Sequence, residues 1–467
     1  MATVTQLEPA HVSETYELES RPKNSPRDRE EPPAPQSIST HMKMDRATYL
    51  KITSAAFSFF VAGVNDGSFG ALVPYVIRDY GINTAIVSSV YGANFMGWLG
   101  GALTNTHLSQ KFDLGAMLIL GAVLQVFAHA LRAWKPPFGL FAVTFWLASL
   151  GQAYQDTHGN TFVAGTKGAH RWLALIHAMY MAGCLCGPFV ATATAASGEH
   201  SRWYLFYCFP LGIGLVNVAL VFTAFRDSVG FKKTQSPSVP TTAIDAETAV
   251  DAGQTPSPVN TLKNDTASAL IKETLKTRSV WLLSLFYFCY LGAVLTASGW
   301  VVEYLVVVRN GELSQMGYVP AGFNGGSLLG RLLLAEPIHR FGVRPIIFLF
   351  SILCIGLQVL FWLVPSIIAA SISISLLGFF MGPYFATGMS ISSKLFSPRI
   401  QPTALAFVFV FAQMGGCFFP IITGLIAARA GVAVLQPILC GLLTATSISW
   451  LFVPKPKESE NTSLHRE

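Results

Sequence analysis

Two aspartates stand in stretches of chain that are otherwise almost free of charge. Asp66 lies in Gly63-Val-Asn-Asp-Gly-Ser-Phe-Gly70, and Asp156 lies in Gln152-Ala-Tyr-Gln-Asp-Thr-His-Gly-Asn160. Removing a carboxylate from water favours its neutral form, so such a group can take up and release a proton as its surroundings change. Ionisable groups in an apolar span are costly and point to function by default. At 100° per residue, Gln152, Gln155, Asp156 and Asn160 fall within one helical arc of about 140°. A stripe of that kind should face protein or water rather than lipid. His158 lies off the stripe. Asn65 adjoins Asp66, and Gly63 and Gly70 share the aspartate's face at i−3 and i+4, where a second helix could approach closely. The bland alternative for Asp66 is a carboxylate that caps or pairs inside a bundle.

Further candidates are single polar side chains on apolar runs. His177 and Tyr180 project together at i and i+3, though a lone histidine there can equally be a packing residue. Asn324, Tyr384 and Gln413 sit in mid-run and are candidate cavity residues. Asn94, Gln125 and Gln358 are explained by hydrogen bonds between helices, and Glu303 by its place near the end of a run. The seven cysteines all lie in apolar runs, where a thiol behaves as a small hydrophobe. Cys184 and Cys186 stand at i and i+2, which do not face each other on a helix. No metal site and no disulfide framework is expected. G-x-S-x-G, H-E-x-x-H, C-x-x-C and the Walker G-x-x-x-x-G-K-[ST] patterns are absent, so neither an enzyme, nor a cofactor, nor ATP as energy source is expected.

The elements that must position these residues are membrane helices. The chain has 467 residues, of which 52% are hydrophobic and 12% charged, with mean hydropathy +0.47. A soluble domain carries about 25% charged residues. Apolar runs near the roughly 20 residues of a span are read at Leu50–Ile77, Thr84–His107, Leu114–Leu131, Phe138–Gly165, Trp172–Ala196 and Trp203–Phe225. Six more follow at Val280–Val308, Gly317–Ala335, Pro345–Val364, Ile367–Ile391, Thr403–Ala427 and Val432–Val453. The fold class is thus an all-α membrane protein of about twelve transmembrane helices in two six-helix bundles. Its divisions are a disordered tail at 1–45, an N-terminal bundle at 46–225, a linker at 226–278, a C-terminal bundle at 279–453 and a tail at 454–467.

Basic residues give the orientation. Only Arg78, Arg132, Lys135, Arg202, Arg309 and Arg429 of the 31 lysines and arginines fall in the loops opposite the termini. The positive-inside rule therefore places both termini and the linker in the cytosol. The net charge of +6 reads as a topology signal rather than as a nucleic-acid surface. An internal repeat supports two halves: Gly97, Gly101, Lys111 and Phe112 match Gly326, Gly330, Arg340 and Phe341 at one offset. Gly183 and Pro188 match Gly415 and Pro420 in the same way. Repeated halves with a binding site between them are a transporter architecture.

The loop Gly326-Ser-Leu-Leu-Gly-Arg331…His339-Arg-Phe-Gly-Val-Arg344 resembles the signature of the major facilitator superfamily in its second half. The equivalent first-half stretch, Gly97 to Asp113, lacks the usual Asp-Arg pair. The resemblance implies that Arg331 and Arg340 latch helices at the cytosolic face. Asn65-Asp66 and Asp156-Thr-His-Gly-Asn-Thr-Phe-Val163 are similar to the fucose-permease-like branch, as are Ser298-Gly-Trp300 and the loop after Gly330-Arg331. That branch uses an acid in each of helices one and four, which implies proton-coupling roles for Asp66 and Asp156. Departures weaken the case for a sugar: His177 and Tyr180 replace amides of the sugar carriers, and Val294 replaces a glutamate. Gly183-x3-Gly187-Pro188 resembles part of the helix-five motif of drug antiporters, without its trailing glycine pair.

The expected function is secondary active transport of a small organic solute by alternating access, coupled to protons, in the exporting direction. Uptake of a sugar-like nutrient is the alternative, followed by a non-transporting nutrient sensor and a membrane-embedded enzyme such as an acyltransferase. Asn65, Gln152, Gln155, Asn160, His177, Tyr180, Asn324, Tyr384 and Gln413 are the expected substrate-binding residues. The expected partners are the solute, protons and membrane lipid, with the protein a monomer in the plasma membrane.

Overall fold

The computed structural model describes residues 45–198, 201–230, 269–397 and 399–454. The expected tails and most of the expected linker lie outside the described residues. Regular structure among the described residues is helical. In the first half the long helices are α1 (Arg46–Tyr80), α2 (Ser89–Lys111), α3 (Leu114–Ala133), α4 (Phe138–Ala164), α5 (Ala169–Ala195) and α6 (Cys208–Phe225). In the second they are α7 (Arg278–Val307), α8 (Val319–Leu333), α9 (Val343–Leu363), α10 (Ile367–Met381, resuming as Tyr384–Leu395), α11 (Gln401–Ala430) and α12 (Leu435–Phe452).

Nine membrane-spanning candidates are long and apolar enough by composition among the described residues. Helices α2, α4 and α8 are not among them. Polar residues interrupt α2 and α4, and α8 has only 15 residues. Some of these polar side chains are buried in the protein interior, among them Gln152 and Gln155 of α4 and Asn324 and Ser327 of α8.

Helix packing repeats between the halves. In the first, α1 packs on α5 and α6, α2 on α4, and α3 on α4 and α6. In the second, α7 packs on α11 and α12, α8 on α10, and α9 on α10 and α12. The halves meet through α1–α7, α2–α11 and α5–α8.

The α1–α5 crossing is set by glycines. Gly63 and Gly67 abut the backbone of Tyr180 and Cys184, while Gly183 and Gly187 abut that of Phe60 and Val64. A Cβ at any of the four would run into the partner's main chain. Small residues of this kind let membrane helices approach at backbone distance. Helix α10 breaks at Gly382-Pro383, since proline has no N–H to continue the ladder. Carbonyls beside the break accept from side chains: Met381 from Tyr290 at 3.3 Å, Gly382 from Arg331 at 3.1 Å and Phe385 from Tyr287 at 2.9 Å.

The halves close on each other at the end away from the termini. There the Thr84 hydroxyl donates to the Gly424 carbonyl at 2.9 Å, and the Phe189 and Tyr318 rings lie 5.7 Å apart. Gly317 fits against Thr192, and Gly299 against the Tyr91 hydroxyl. Nearer the terminus-bearing end, a groove of about 250 Å³ runs between α2 and α4 of one half and α11 of the other.

Candidate functional site

Asp66 is the hub of a polar cluster inside the first half. Its Oδ1 accepts from Asn65 Nδ2 at 2.9 Å and from Gln152 Nε2 at 3.0 Å, and its Oδ2 accepts from the Tyr180 hydroxyl at 2.9 Å. Residues of α1, α4 and α5 thus converge on one carboxyl group. The glycine crossing makes this possible by bringing α5 within reach of α1.

Asp156 and Asp66 line the same small cavity of about 30 Å³, with Ser58, Gln152, Gln155 and Tyr180 among its other walls. Asn160 donates to Asp156 at 3.2 Å, one turn along α4. A second and larger cavity, about 120 Å³, has Asp66 and Tyr180 in its wall too. Its remaining lining is mixed: Phe69, Tyr91, Trp98 and Phe145 give aromatic faces, and Asn65, Asn94 and Gln413 give polar ones. Leu291 and Leu295 of the second half close it. Asp66 and Tyr180 therefore stand in the wall common to two spaces, one holding Asp156 and one between the halves.

The other candidates are distributed as follows. Gln155 joins helices, accepting from Gln125 at 2.8 Å and donating to the Leu118 carbonyl at 3.2 Å, while lining the smaller cavity. His177 lies edge-on to Phe59, with ring centres 5.4 Å apart, and 6.4 Å from the Phe385 ring of the second half. Asn324 donates to the Cys184 carbonyl at 2.9 Å and so ties α8 to α5. Tyr384 is 2% exposed and shares a hydrogen bond of 2.9 Å with Ser351 inside the second half. Gln413 lines the larger cavity and the groove. Arg331 sits at the α10 break, whereas Arg340 makes an exposed ion pair with Glu336 at 2.8 Å, one turn away on the same short helix. His158, off the polar stripe, bonds to Asn105 at 2.9 Å.

One residue at the site has a position different from that read in sequence. Arg132 is not a loop residue but lies in the last turn of α3 with no exposed surface. Its Nη1 donates to Asn65 Oδ1 at 2.7 Å and its Nε to Thr144 Oγ1 at 2.7 Å. Its guanidinium lies 3.7 Å from the centre of the Phe145 ring and 5.2 Å from that of Tyr207. A sequence signal existed. Gln125, His129 and Arg132 recur at i, i+4 and i+7, one face of α3, and all three are buried.

Twelve main helices among the described residues, in two similarly packed halves with half-buried carboxyls beside a cavity between them, define a membrane carrier of the two-bundle type. The profile of the Major Facilitator Superfamily matches residues 55–368 and 310–467, and the chain belongs to that superfamily. It is 26% identical over 423 residues to Bypass of stop codon protein 6 of Saccharomyces cerevisiae, covering 87% of this chain and 82% of that one. It is 22% identical over 314 residues to the 4-hydroxybenzoate transporter PcaK of Pseudomonas aeruginosa, covering 64% and 69%. Among solved structures, the nucleoside transporter NupG superposes with a TM-score of 0.64 at 14% identity, over 87% of this chain and 100% of that one. A bacterial homolog of the human lysosomal transporter Spinster, inward-facing and unoccupied, gives 0.63 at 12% identity, over 88% and 95%. Those likenesses are of fold. The protein is a multi-pass integral membrane transporter of a small solute.

Proposed function

We propose that this carrier exchanges protons for a small organic solute by alternating access and moves the solute out of the cytosol. The observation that carries the reading is the shared cavity of Asp66 and Asp156, with Asp66 also exposed to the space between the halves. A proton on either carboxyl relieves the cost of two like charges in one confined space. When the halves rock about the central cavity, the carboxyls face each side in turn, and the proton gradient supplies the work. Both termini are placed in the cytosol by the charge bias of the loops, and the membrane is taken as the plasma membrane.

The aromatic faces of the larger cavity, with amides between them, suit a flat solute with both apolar and polar edges. The relative PcaK is a transporter of 4-hydroxybenzoate, an aromatic hydroxy acid, which agrees with a compact aromatic body. Export rests on the Gly183-x3-Gly187-Pro188 resemblance to drug antiporters. A growth screen tests the direction: strains that overexpress or lack the protein are grown on a panel of toxic organic compounds and scarce carbon sources. Export gives resistance on overexpression. Better growth on a scarce sugar, without resistance, would reverse the direction to uptake.

A further inference from the structure

Arg132 is a cation in the interior of the first half, and no ion pair among the described residues involves it. Burying a charge away from water costs several kcal/mol even after relaxation, so about that much must be offset by its surroundings. Part comes from the Phe145 and Tyr207 rings, since a guanidinium over an aromatic face is attracted to it. The rest comes from two hydrogen bonds, one to Thr144 and one to Asn65. The Asn65 carbonyl accepts from Arg132 while its amide nitrogen donates to Asp66. The amide is thus aligned between a positive and a negative group. Turning it over would set N–H against guanidinium and C=O against carboxylate, both repulsive. Arg132 therefore fixes the orientation of the Asn65 donor and supplies the positive charge that an ionised Asp66 needs.

We infer that Arg132 is a positioning residue that governs the charge state of Asp66 through the Asn65 amide, with the Phe145 ring standing between the guanidinium and the solute cavity. The inference rests on the proton-coupling reading of Asp66. Phe145 lines the cavity of about 120 Å³, and the Arg132 guanidinium packs on its ring. The other ionisable groups around the pair are His129 on α3, Asp156 on α4, Tyr180 and Cys184 on α5, Cys417 on α11 and Tyr207 beside the guanidinium. Arg132 is the one of this set whose charge is permanent. A proton reaching Asp66 leaves the cation without its counter-charge. That strained state is relieved when the proton leaves, so Arg132 sets how readily Asp66 gives its proton up.

The test needs no knowledge of the solute. Purified full-length protein in lipid nanodiscs is titrated with acid while infrared difference spectra follow the C=O stretch of protonated carboxyls. The Asp66→Asn variant identifies the Asp66 band by its loss, and Asp156→Asn identifies the neighbouring one. Arg132→Met and Arg132→Gln should each move the Asp66 midpoint to higher pH, the direction expected when the positive charge at the far end of the Asn65 amide is removed. Arg132→Lys should hold it within a few tenths. Arg132→Met guards against misfolding, because an apolar side chain removes the cost of the buried charge. An Asp66 midpoint that stays put in both the Met and Gln variants overturns the inference, as does an equal shift in the Lys variant. If Asp66→Asn removes no titrating band, the proton-coupling reading itself fails, and this inference with it.

Discussion

The Tyr180 hydroxyl donates to Oδ2 of Asp66 across 2.9 Å, joining α5 to α1 at the level where the two cavities share a wall. The other carboxyl oxygen is held by two amide donors, Asn65 and Gln152. An amide N–H cannot accept, so a proton arriving at Asp66 goes to Oδ2, and Tyr180 must turn from donor to acceptor. The tyrosine is thereby a reporter of the aspartate's charge. It lies one turn from Cys184, whose carbonyl holds Asn324 of the other half.

Tyr180→Phe removes a hydrogen bond to a charged acceptor, which is worth about 1.5–3 kcal/mol. The expected result is a fall of roughly tenfold or more in proton-driven flux, with the protein folded and in the membrane. Flux in sealed vesicles, alongside the thermal unfolding midpoint in detergent, separates lost coupling from lost fold.

Gly183→Leu or Gly67→Val places side-chain atoms against the backbone of the facing helix. Overpacking of this kind costs about 1–3 kcal/mol or more. Both variants should unfold at lower temperature in detergent. Gly441→Ala and Gly356→Ala, with open space around the added methyl, should unfold as the unsubstituted protein does or slightly later.

Much of this cluster was legible because helical spacing is a strong signal. The polar stripe of α4 and the pair Asn65-Asp66 stand out against apolar neighbours, and periodicity assigns them a face. Arg132 was lost because a basic residue near the end of an apolar run looks like loop charge, and only the stripe with Gln125 and His129 places it inside. Depth along a helix is likewise a weaker guide than face. Asn324 and Tyr384 both sit in mid-span, yet one ties the halves together and the other bonds to Ser351 within its own half. The shortness of α8 and the break of α10 at Gly382-Pro383 leave no mark in hydropathy, because the apolar run continues through both.

The closed end away from the termini offers a direct trap. A side chain at Gly317 would press against that of Thr192, slightly closer than the Cβ spacing of a disulfide, so a small outward shift of the helices admits the bridge. A Thr192→Cys, Gly317→Cys pair, oxidised in the membrane, should stop transport, and reduction should restore it. Full transport by the oxidised pair would contradict alternating access at this interface.

Arg331 and Arg340 should differ sharply on substitution. The Arg340–Glu336 pair is about 70% exposed on each side, and such pairs are worth about 0–1 kcal/mol. Arg340→Ala should therefore change the unfolding temperature little. Arg331 holds a carbonyl at the α10 break, and Arg331→Ala should lower both the unfolding temperature and the flux. The flux assay on the two variants, run together, checks the contrast.

Accumulation driven by a pH gradient, in sealed vesicles containing the purified protein and the solute named by the growth screen, tests the proton-coupled mechanism most directly. With Asp66→Asn, and separately with Asp156→Asn, accumulation against the gradient should be abolished. Exchange of labelled for unlabelled solute at equal pH should continue. Undiminished pH-driven accumulation in both variants would contradict a proton site at these two carboxyls.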